Sequence, residues 1–345
     1  MSGSKFYHFT PNGLFYGLSN LEEAITASKE EGFVWFNFFK PSREDLNSLI
    51  DAIGIHPLSV EDCFDEKQVP KIEYFKNNTF IIFNSFTYSE KELFVDEINL
   101  FIGKRFLITV SGNHSGTREP LGDITEVLEN GQLYSREGPD FLMHVVLDYL
   151  VDQKYKAFDD MEGELEQAEE LLLKDVESFQ PMQLIRLRKD LLNLRKSLYH
   201  EREILVKICR LDCPFVTEKA IVHYRDIYDH LAKFFELTET YREIETSLME
   251  LYTSLLNNLM TKASNDTNAS VRRLTLIATI FMPLTLIASI GGMSEWSMIT
   301  GPSNWKITYP LFILAMVIIG FINYFLILRL EKKRDLKQEK TNRFS

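Results

Sequence analysis

Apolar positions change their spacing along this chain, and each change predicts a different kind of element. Up to about residue 135 they come in short runs broken by polar turns. GFVWFNFF (32–39) is an apolar, aromatic run of strand length. KIEYFKNNTFIIFNSFTY (71–88) predicts two strands around Lys76-Asn77-Asn78, and INLFIGKRFLITV (98–110) predicts two more around Gly103-Lys104. PSREDLNSLIDAIG (41–54) predicts a helix, with Ser42 as N-cap, an acidic first turn and Gly54 as the stop. Strand and helix signals alternate, so residues 1–135 are expected to form an α/β domain.

From Gly138 onward the strand pattern is replaced by helical spacing. FLMHVVLDYLVDQKYKAFDDMEGELEQAEELLL predicts one helix, ending before Phe179-Gln180-Pro181. PMQLIRLRKDLLNLRKSLYHEREILVKI predicts a second, basic where the first is acidic. An antiparallel hairpin with complementary faces, over residues 136–213, is the simplest arrangement. A third helix is expected from near Thr217, with no Gly or Pro before Pro283. Tyr241, Ile244, Leu248, Leu251 and Leu255 follow the 3,4 spacing of a packing seam. NNLMTKASNDTNASVRR, further on, is polar all round and admits either a loop or a continuing helix. The lack of a breaker favours one helix through residues 214–273 and on into the next segment, on the order of 100 Å long.

Residues 274–293 and 307–328 carry no charge, and each is about 20 residues long, the length that spans ~30 Å of hydrocarbon as a helix. A short segment, 294–306, joins them. Arg272 and Arg273 precede the first stretch; Arg329, Lys332, Lys333, Arg334 and Lys337 follow the second, opening a basic tail over 329–345. The joining loop holds only Lys306, opposed by Glu295. Basic flanks on the inside predict two spans of a cell (inner) membrane, with both termini cytoplasmic and the loop outside. Trp296, Trp305 and Tyr309 suit an aromatic belt at the outer interface.

Composition narrows the function. The 345 residues carry a formal net charge of -12, which argues against a nucleic-acid binder. Nine carboxylates and one lysine lie in residues 159–177, a pattern that a solvated helix face also explains. Three cysteines (Cys63, Cys209, Cys213) are too few for a disulfide framework. CRLDC lacks a second ligand pair for zinc, so reduced thiols are expected. The start, MSGSKFYHFTPNG, has no apolar core of a signal peptide.

Two helices cannot enclose a watery path, so transport would need several copies around an axis. In the first span Ala278, Met282, Thr285, Ser289 and Gly292 recur at 4,3,4,3 spacing and share one face. Such a face can pack helices closely or line a wet pore. Its hydroxyls can also bond back to their own helix. Pro283 removes one backbone hydrogen bond and leaves a carbonyl in need of a partner.

LTLIATIFMPLTLIASIGGMS resembles the first transmembrane helix of the CorA family of magnesium and divalent-cation channels. ATIFMPLT is the family hallmark, followed by a Gly-Met-Asn signature at the pore mouth. GIHPLSVEDC (54–63), VPKIEYF (69–75), VHYRDIYDH (222–230) and the two-span C-terminus are similar to CorA segments in the same order. The resemblance implies an α+β membrane protein: a cytosolic α/β domain, an acidic helical hairpin and a long stalk helix continuing into the first of two transmembrane helices. It implies a funnel-shaped homopentamer in a lipid bilayer, with no other protein partner and no nucleic acid. Its ligand would be Mg²⁺, as transported ion and as regulator. Mg²⁺ sheds water reluctantly, and a dication gains roughly 4.6 kcal/mol per 100 mV on moving inward. Carried over, Gly292, Met293 and Ser294 form the selectivity filter. Asn268, Leu274, Ala278, Met282, Thr285 and Ser289 line the pore, with Met282 and Leu274 as the hydrophobic constriction. The glycines would bring backbone close to the entering ion. Glu295 would attract cations at the mouth. Glu61 and Asp62 would face Asp226 of a neighbouring subunit and bind regulatory Mg²⁺; a plain salt bridge of Asp226 with Arg225 is the alternative.

Two features depart from the family, and two other function classes compete. Ser294 replaces the signature Asn with a shorter group that also donates, which leaves Zn²⁺, Co²⁺ or Ni²⁺, and coupled transport, as alternatives. The stalk is about seven residues longer, close to two helical turns, and would extend a polar funnel of Asn257, Asn258, Asn265 and Asn268. An enzyme built on His56, Asp62 and Cys63 is the competing class, but no phosphate loop, nucleophile elbow or HExxH accompanies them. A membrane-anchored adaptor or receptor is the other, with only a short outer loop to present.

Overall fold

In a computed structural model the alternating aromatic runs pair into one sheet. The structure describes residues 3–11, 15–65, 68–113, 119–122, 124, 138–292, 301 and 304–342, with backbone alone at 305, 328 and 330–342. Strands β1 (Lys5–Phe9), β2 (Phe15–Leu18), β3 (Phe33–Phe39), β4 (Ile72–Tyr74), β5 (Asn78–Ser89), β6 (Glu92–Gly103) and β7 (Phe106–Ser111) lie in the order β2-β1-β3-β7-β6-β5-β4. β3 and β7 are parallel, and every other neighbouring pair is antiparallel.

Strands β5 to β7 fall close to the expected runs, with one difference. β6 begins at Glu92 rather than 98, because β5 and β6 form a hairpin closed by Glu90 and Lys91. Both residues sit in the left-handed region, at φ 52 and 63. Such a turn normally uses Asn or Gly, so it gave no signal in the sequence.

Period-2 alternation sends Val34, Phe36, Phe38, Phe80, Ile82, Phe101 and Ile108 to one face. Helices α1 (Leu21–Ala27), α2 (Arg43–Ile53) and α3 (Pro57–Asp62) supply Ala24, Leu46, Leu49 and Val60 to that core. Ser42 and Asp45 form a capping box on α2. Gly54 ends it at φ 79, where a Cβ would meet the Asn77 Nδ2 at 2.6 Å, so the predicted stop is a steric requirement as well as a conformational one.

Two long antiparallel helices follow, α4 (Pro139–Lys174) and α5 (Met182–Cys209). α4 covers the sheet's other face, and the two helices bury Phe158, Met161, Leu165, Leu187, Leu191 and Leu194. Complementary charge accounts for part of their pairing: Arg186 of the basic helix donates to Glu164 of the acidic one, which also takes the Tyr88 hydroxyl. The fully buried pair has the reverse polarity. Lys154 comes from α4 and Glu201 from α5, with Nζ 3.3 Å from the carboxylate. Lys154 also donates to the carbonyl of Asn84 on β5, and its Nζ lies 4.8 Å from the Phe83 ring and 4.1 Å from Phe86. Glu201 accepts from the Asn84 N–H at 3.1 Å. Burial pushes the ammonium pKa down and the carboxyl pKa up, each opposed by the partner's charge.

Helix α6 (Ile221–Gly291) is continuous, so the polar stretch 257–273 is helix and not loop. Its buried seam is Tyr224, Ile227, Leu231, Phe234, Thr238, Tyr241, Glu245 and Leu248. The 3,4 spacing is as expected, but the membership shifts: Ile244 is 39% exposed and Glu245 takes the inward place. Burial raises the Glu245 carboxyl, against the charges of Arg188 and Arg242. Helix α7 spans Trp305–Asn342. The chain divides into two units, Met1–Thr253 and Ser254–Ser345. α6 and residues 306–327 of α7 are each long and apolar enough to cross a membrane.

Candidate functional site

Helix geometry decides which residues of the apolar part of α6 are free to act. At about 100° per residue, Leu276, Ile280, Pro283, Leu284, Ile287 and Gly291 fall on one side, and all are half-buried. This is the side that meets α7. A Cβ on Gly291 would lie 2.6 Å from Phe312 Cζ, and one on Gly320 would lie 3.6 Å from Leu284 Cδ1. Gly291 is therefore a close-packing glycine, and its place in the sequence is explained by α7. Gly292 has only its own helix nearby, with the carbonyls of Ala288 and Ser289 at 3.4 and 3.6 Å from a Cβ position.

Ala278, Met282, Thr285, Ser289 and Gly292 lie on the opposite side and are exposed, as are Leu274 and Asn268 below them. The small, hydroxylated stripe does not pack within the chain. Its hydroxyls do bond back to the helix: Thr285 Oγ1 donates to the Phe281 carbonyl at 2.8 Å, and Ser289 Oγ to the Thr285 carbonyl at 2.8 Å. That geometry uses each hydroxyl proton internally and leaves the oxygen lone pairs directed outward as acceptors. Pro283 leaves the Thr279 carbonyl without its helical donor. Met293, Ser294 and Glu295 lie outside the described residues, as do Trp296 and the side chain of Trp305.

The acidic residues expected to sense a divalent ion fall on two elements. Glu61 and Asp62 end α3, a short helix that Pro57 starts and that the His56 ring caps by accepting from the Leu58 N–H at 3.3 Å. Asp62 accepts from Lys71 Nζ at 2.7 Å and from Gln68 Nε2 at 2.9 Å. Glu61 is exposed. Asp226 is on α6, exposed, with His230 Nε2 at 3.6 Å rather than Arg225 as its partner. The His230 ring is held from its other side by Tyr155, 2.5 Å from Nδ1. Among the described residues no three His, Cys, Asp or Glu side chains of one chain converge as a metal site.

Around Asp226 the structure adds groups that the sequence reading did not single out. Asp148 and Asp152 on α4 sit near His230, and burial is the first cause that raises both carboxyls. His144 packs against His223 with ring centroids 5.0 Å apart, and its Nδ1 is buried without a partner. Burial and the neighbouring His223 push its pKa down to about 4. Their spacing, one helical turn apart on each helix, was the available signal.

The chain is similar to known proteins in sequence and in fold. The sequence model of a family described as "CorA-like Mg2+ transporter protein" matches residues 30–333. The cobalt/magnesium transport protein CorA of Thermotoga maritima is 30% identical over 310 residues, covering 88% of this chain and 83% of that protein. The complete structure of the CorA magnesium transporter of Methanocaldococcus jannaschii superposes with a TM-score of 0.69 at 23% identity, over 94% of this chain and 97% of that one. The full-length CmaX protein superposes at 0.69's near neighbour, a TM-score of 0.67, with 17% identity over 95% and 97% of the two chains. With residues 30–333 matched and the fold shared from sheet to paired apolar helices, the chain belongs to the CorA-like Mg²⁺ transporter family.

Proposed function

We propose that this chain forms a homopentameric channel through which hydrated Mg²⁺ enters the cell, driven by the membrane potential. One observation carries the reading. The stripe Ala278, Met282, Thr285, Ser289 and Gly292 is exposed on the side of α6 away from α7, with its hydroxyl protons already used. Five such stripes around an axis present rings of acceptors to the outward-pointing hydrogens of a hydrated cation. Mg²⁺ keeps its waters under those conditions. Met282 and Leu274 add apolar rings that close the path by dewetting. Gly292, Met293 and Ser294 form the mouth, Glu295 draws cations to it, and Asn268 lines the cytosolic end.

In this reading residues 1–135 form the cytosolic α/β domain, 136–213 the hairpin and 214–273 the stalk. Residues 274–293 and 307–328 cross the inner membrane, 294–306 form the external loop, and both termini and the basic tail 329–345 are cytoplasmic. The chain is a channel and not an enzyme. Glu61 and Asp62 of one subunit and Asp226 of the next hold cytosolic Mg²⁺ and keep the pore shut when the ion is plentiful. Without the ion, carboxylate repulsion loosens the contact and biases the two-state element toward opening.

A second reading rests on Ser294. Its short hydroxyl makes a wider, less acceptor-rich mouth than Asn, which favours Co²⁺, Ni²⁺ or Zn²⁺; the name of the Thermotoga maritima relative pairs cobalt with magnesium. Ion flux into proteoliposomes tests both, with Mg²⁺, Zn²⁺, Co²⁺ and Ni²⁺ offered to wild type and to Ser294→Asn. Mg²⁺ uptake by wild type is expected. Transition-ion uptake that turns to Mg²⁺ in Ser294→Asn selects the second reading, and no flux in either form removes both.

A further inference from the structure

Helix α5 has two apolar faces, and only one is covered. Its inner face packs Leu184, Leu187, Leu191 and Leu194 in the hairpin. Its outer face carries Met182 (68% exposed), Ile185 (51%), Leu192 (45%) and Tyr199 (53%), with exposed Lys189 and Lys196 filling the gaps. Positions 182, 185, 189, 192, 196 and 199 follow 3,4,3,4,3 spacing, the signature of a seam that faces another helix. The exposed flank of α4 has the complementary character, with Asp152, Asp159, Glu166 and Glu170 at intervals of seven, seven and four. Gly163 lies among them, and a Cβ there would meet nothing within 4 Å.

We propose that the outer face of α5 docks on the acidic flank of α4 in the next copy of this chain. The inference rests on the homopentamer proposed above. Three observations support this occupant. Charge is complementary: Lys189 and Lys196 against four carboxylates. Level is matched as well. Within one chain Glu164 stands level with Arg186, and Lys154 with Glu201. Rotation about an axis along the helices leaves level unchanged, so Ile185 of one copy meets Glu166 of the next, and Leu192 meets Asp159. The third is continuity with the proposed metal contact. Lys196 and Asn193 share a cavity of about 280 Å³ with Gln68, the residue that donates to Asp62. On the other flank, Asp152 stands beside His230, which is the partner of Asp226. The basic face thus starts next to Asp62 and the acidic flank next to Asp226. A heterologous contact of this kind closes into a ring when the rotation closes. Lys196 meets one like charge, Lys156, flanked by Asp152 and Asp159.

The test uses the full-length protein in a Cys209→Ser background, since Cys63 and Cys213 are buried. Chains carrying Ile185→Cys and chains carrying Glu166→Cys, with different tags, are co-expressed in membranes and oxidised. Disulfide-linked mixed dimers are expected. Lys189→Glu/Lys196→Glu is expected to lower the dilution stability of the assembly about tenfold, and Asp159→Lys/Glu166→Lys in the same chain to restore it. An intact wild-type pentamer by native mass spectrometry, with no cross-link and no charge-reversal effect, overturns the inference while leaving the channel reading in place. Capture of added anionic phosphatidylglycerol vesicles by the nanodisc-held wild type that charge reversal abolishes, with no cross-link, assigns the face to a membrane surface and also overturns it. A wild type that is no pentamer removes the reading beneath it.

Discussion

Gly291 sits against Phe312 so closely that a Cβ on it would lie 2.6 Å from the ring's Cζ. This contact fixes which side of α6 is turned to α7, and so which side is left for the axis proposed above. Gly291→Ala forces the Phe312 ring to move and is expected to cost about 1–2 kcal/mol, seen as a lower thermal midpoint in detergent. Phe312→Leu in the same chain should recover most of it. Gly292→Ala has no such neighbour and should leave the midpoint in place. Equal losses for both glycines would remove the distinction drawn between packing and mouth.

Lys154 and Glu201 form a charge pair with no solvent contact, joined through both backbone groups of Asn84. Removing one partner leaves the other buried and uncompensated. Lys154→Met should therefore destabilise the Met1–Thr253 unit by about 3–5 kcal/mol, and Lys154→Met/Glu201→Leu should regain most of that loss. Urea denaturation of the four forms closes the cycle. A double variant as weak as the single one would show that shape, and not charge, holds the site.

What the sequence disclosed follows from how local each signal is. The N-cap at Ser42, the stop at Gly54 and the continuous α6 depend on neighbouring residues, and all were readable. The Glu90-Lys91 turn was not, because long-range pairing of β5 with β6 imposes a left-handed conformation on residues that do not prefer it. The first strand pair and α1 were missed for a similar reason: Lys5–Phe9 is too short to show a period by itself. Within the site, the 4,3,4,3 stripe was legible from spacing alone. Gly291 as a packing residue was not, since Phe312 reaches it from another helix. Neither was the partnering of Asp62 by Lys71 and Gln68, or of Asp226 by His230.

His144 gives the pH dependence a sign. Its ring is buried among Phe141, His223 and Tyr224, with Asp226 across on α6 and Asp148 one turn along α4. Folding lowers its pKa from 6.5 to about 4. Between those values the unfolded chain binds a proton that the folded chain does not, so stability falls as pH drops through the window and levels off below it. The loss should be about 2 kcal/mol, discounted for partial solvent access. Asp148, whose carboxyl is raised by burial, acts in the opposite sense, so the informative quantity is a difference. His144→Phe should flatten the change in denaturation midpoint between pH 7 and pH 4.5. The same slope in both proteins would assign the acid sensitivity elsewhere.

Thr285 is where the back-bonded hydroxyls can be tested as acceptors. Its Oγ1 proton is spent on the Phe281 carbonyl, and its own carbonyl takes the Ser289 hydroxyl. Thr285→Val keeps the side-chain shape and the β-branch, and Val is close to Thr in helix propensity, so the helix should persist. The back-bond to Phe281 and the outward lone pairs are lost together, and Thr279→Val, below, removes a back-bond alone. If those lone pairs receive hydrogens from the water shell of a passing cation, each such bond is worth on the order of 1.5 kcal/mol, and the loss of one such bond at the barrier should slow flux about tenfold. Thr285→Ser should retain it. Thr279 makes the same back-bond, to Thr275 at 2.7 Å, but lies about 100° round the helix from Ala278. Thr279→Val should therefore leave flux unchanged. A drop of equal size at both positions would trace the effect to helix mechanics shared by every back-bonded hydroxyl of α6. A drop at Thr285 alone would trace it to the face turned away from α7.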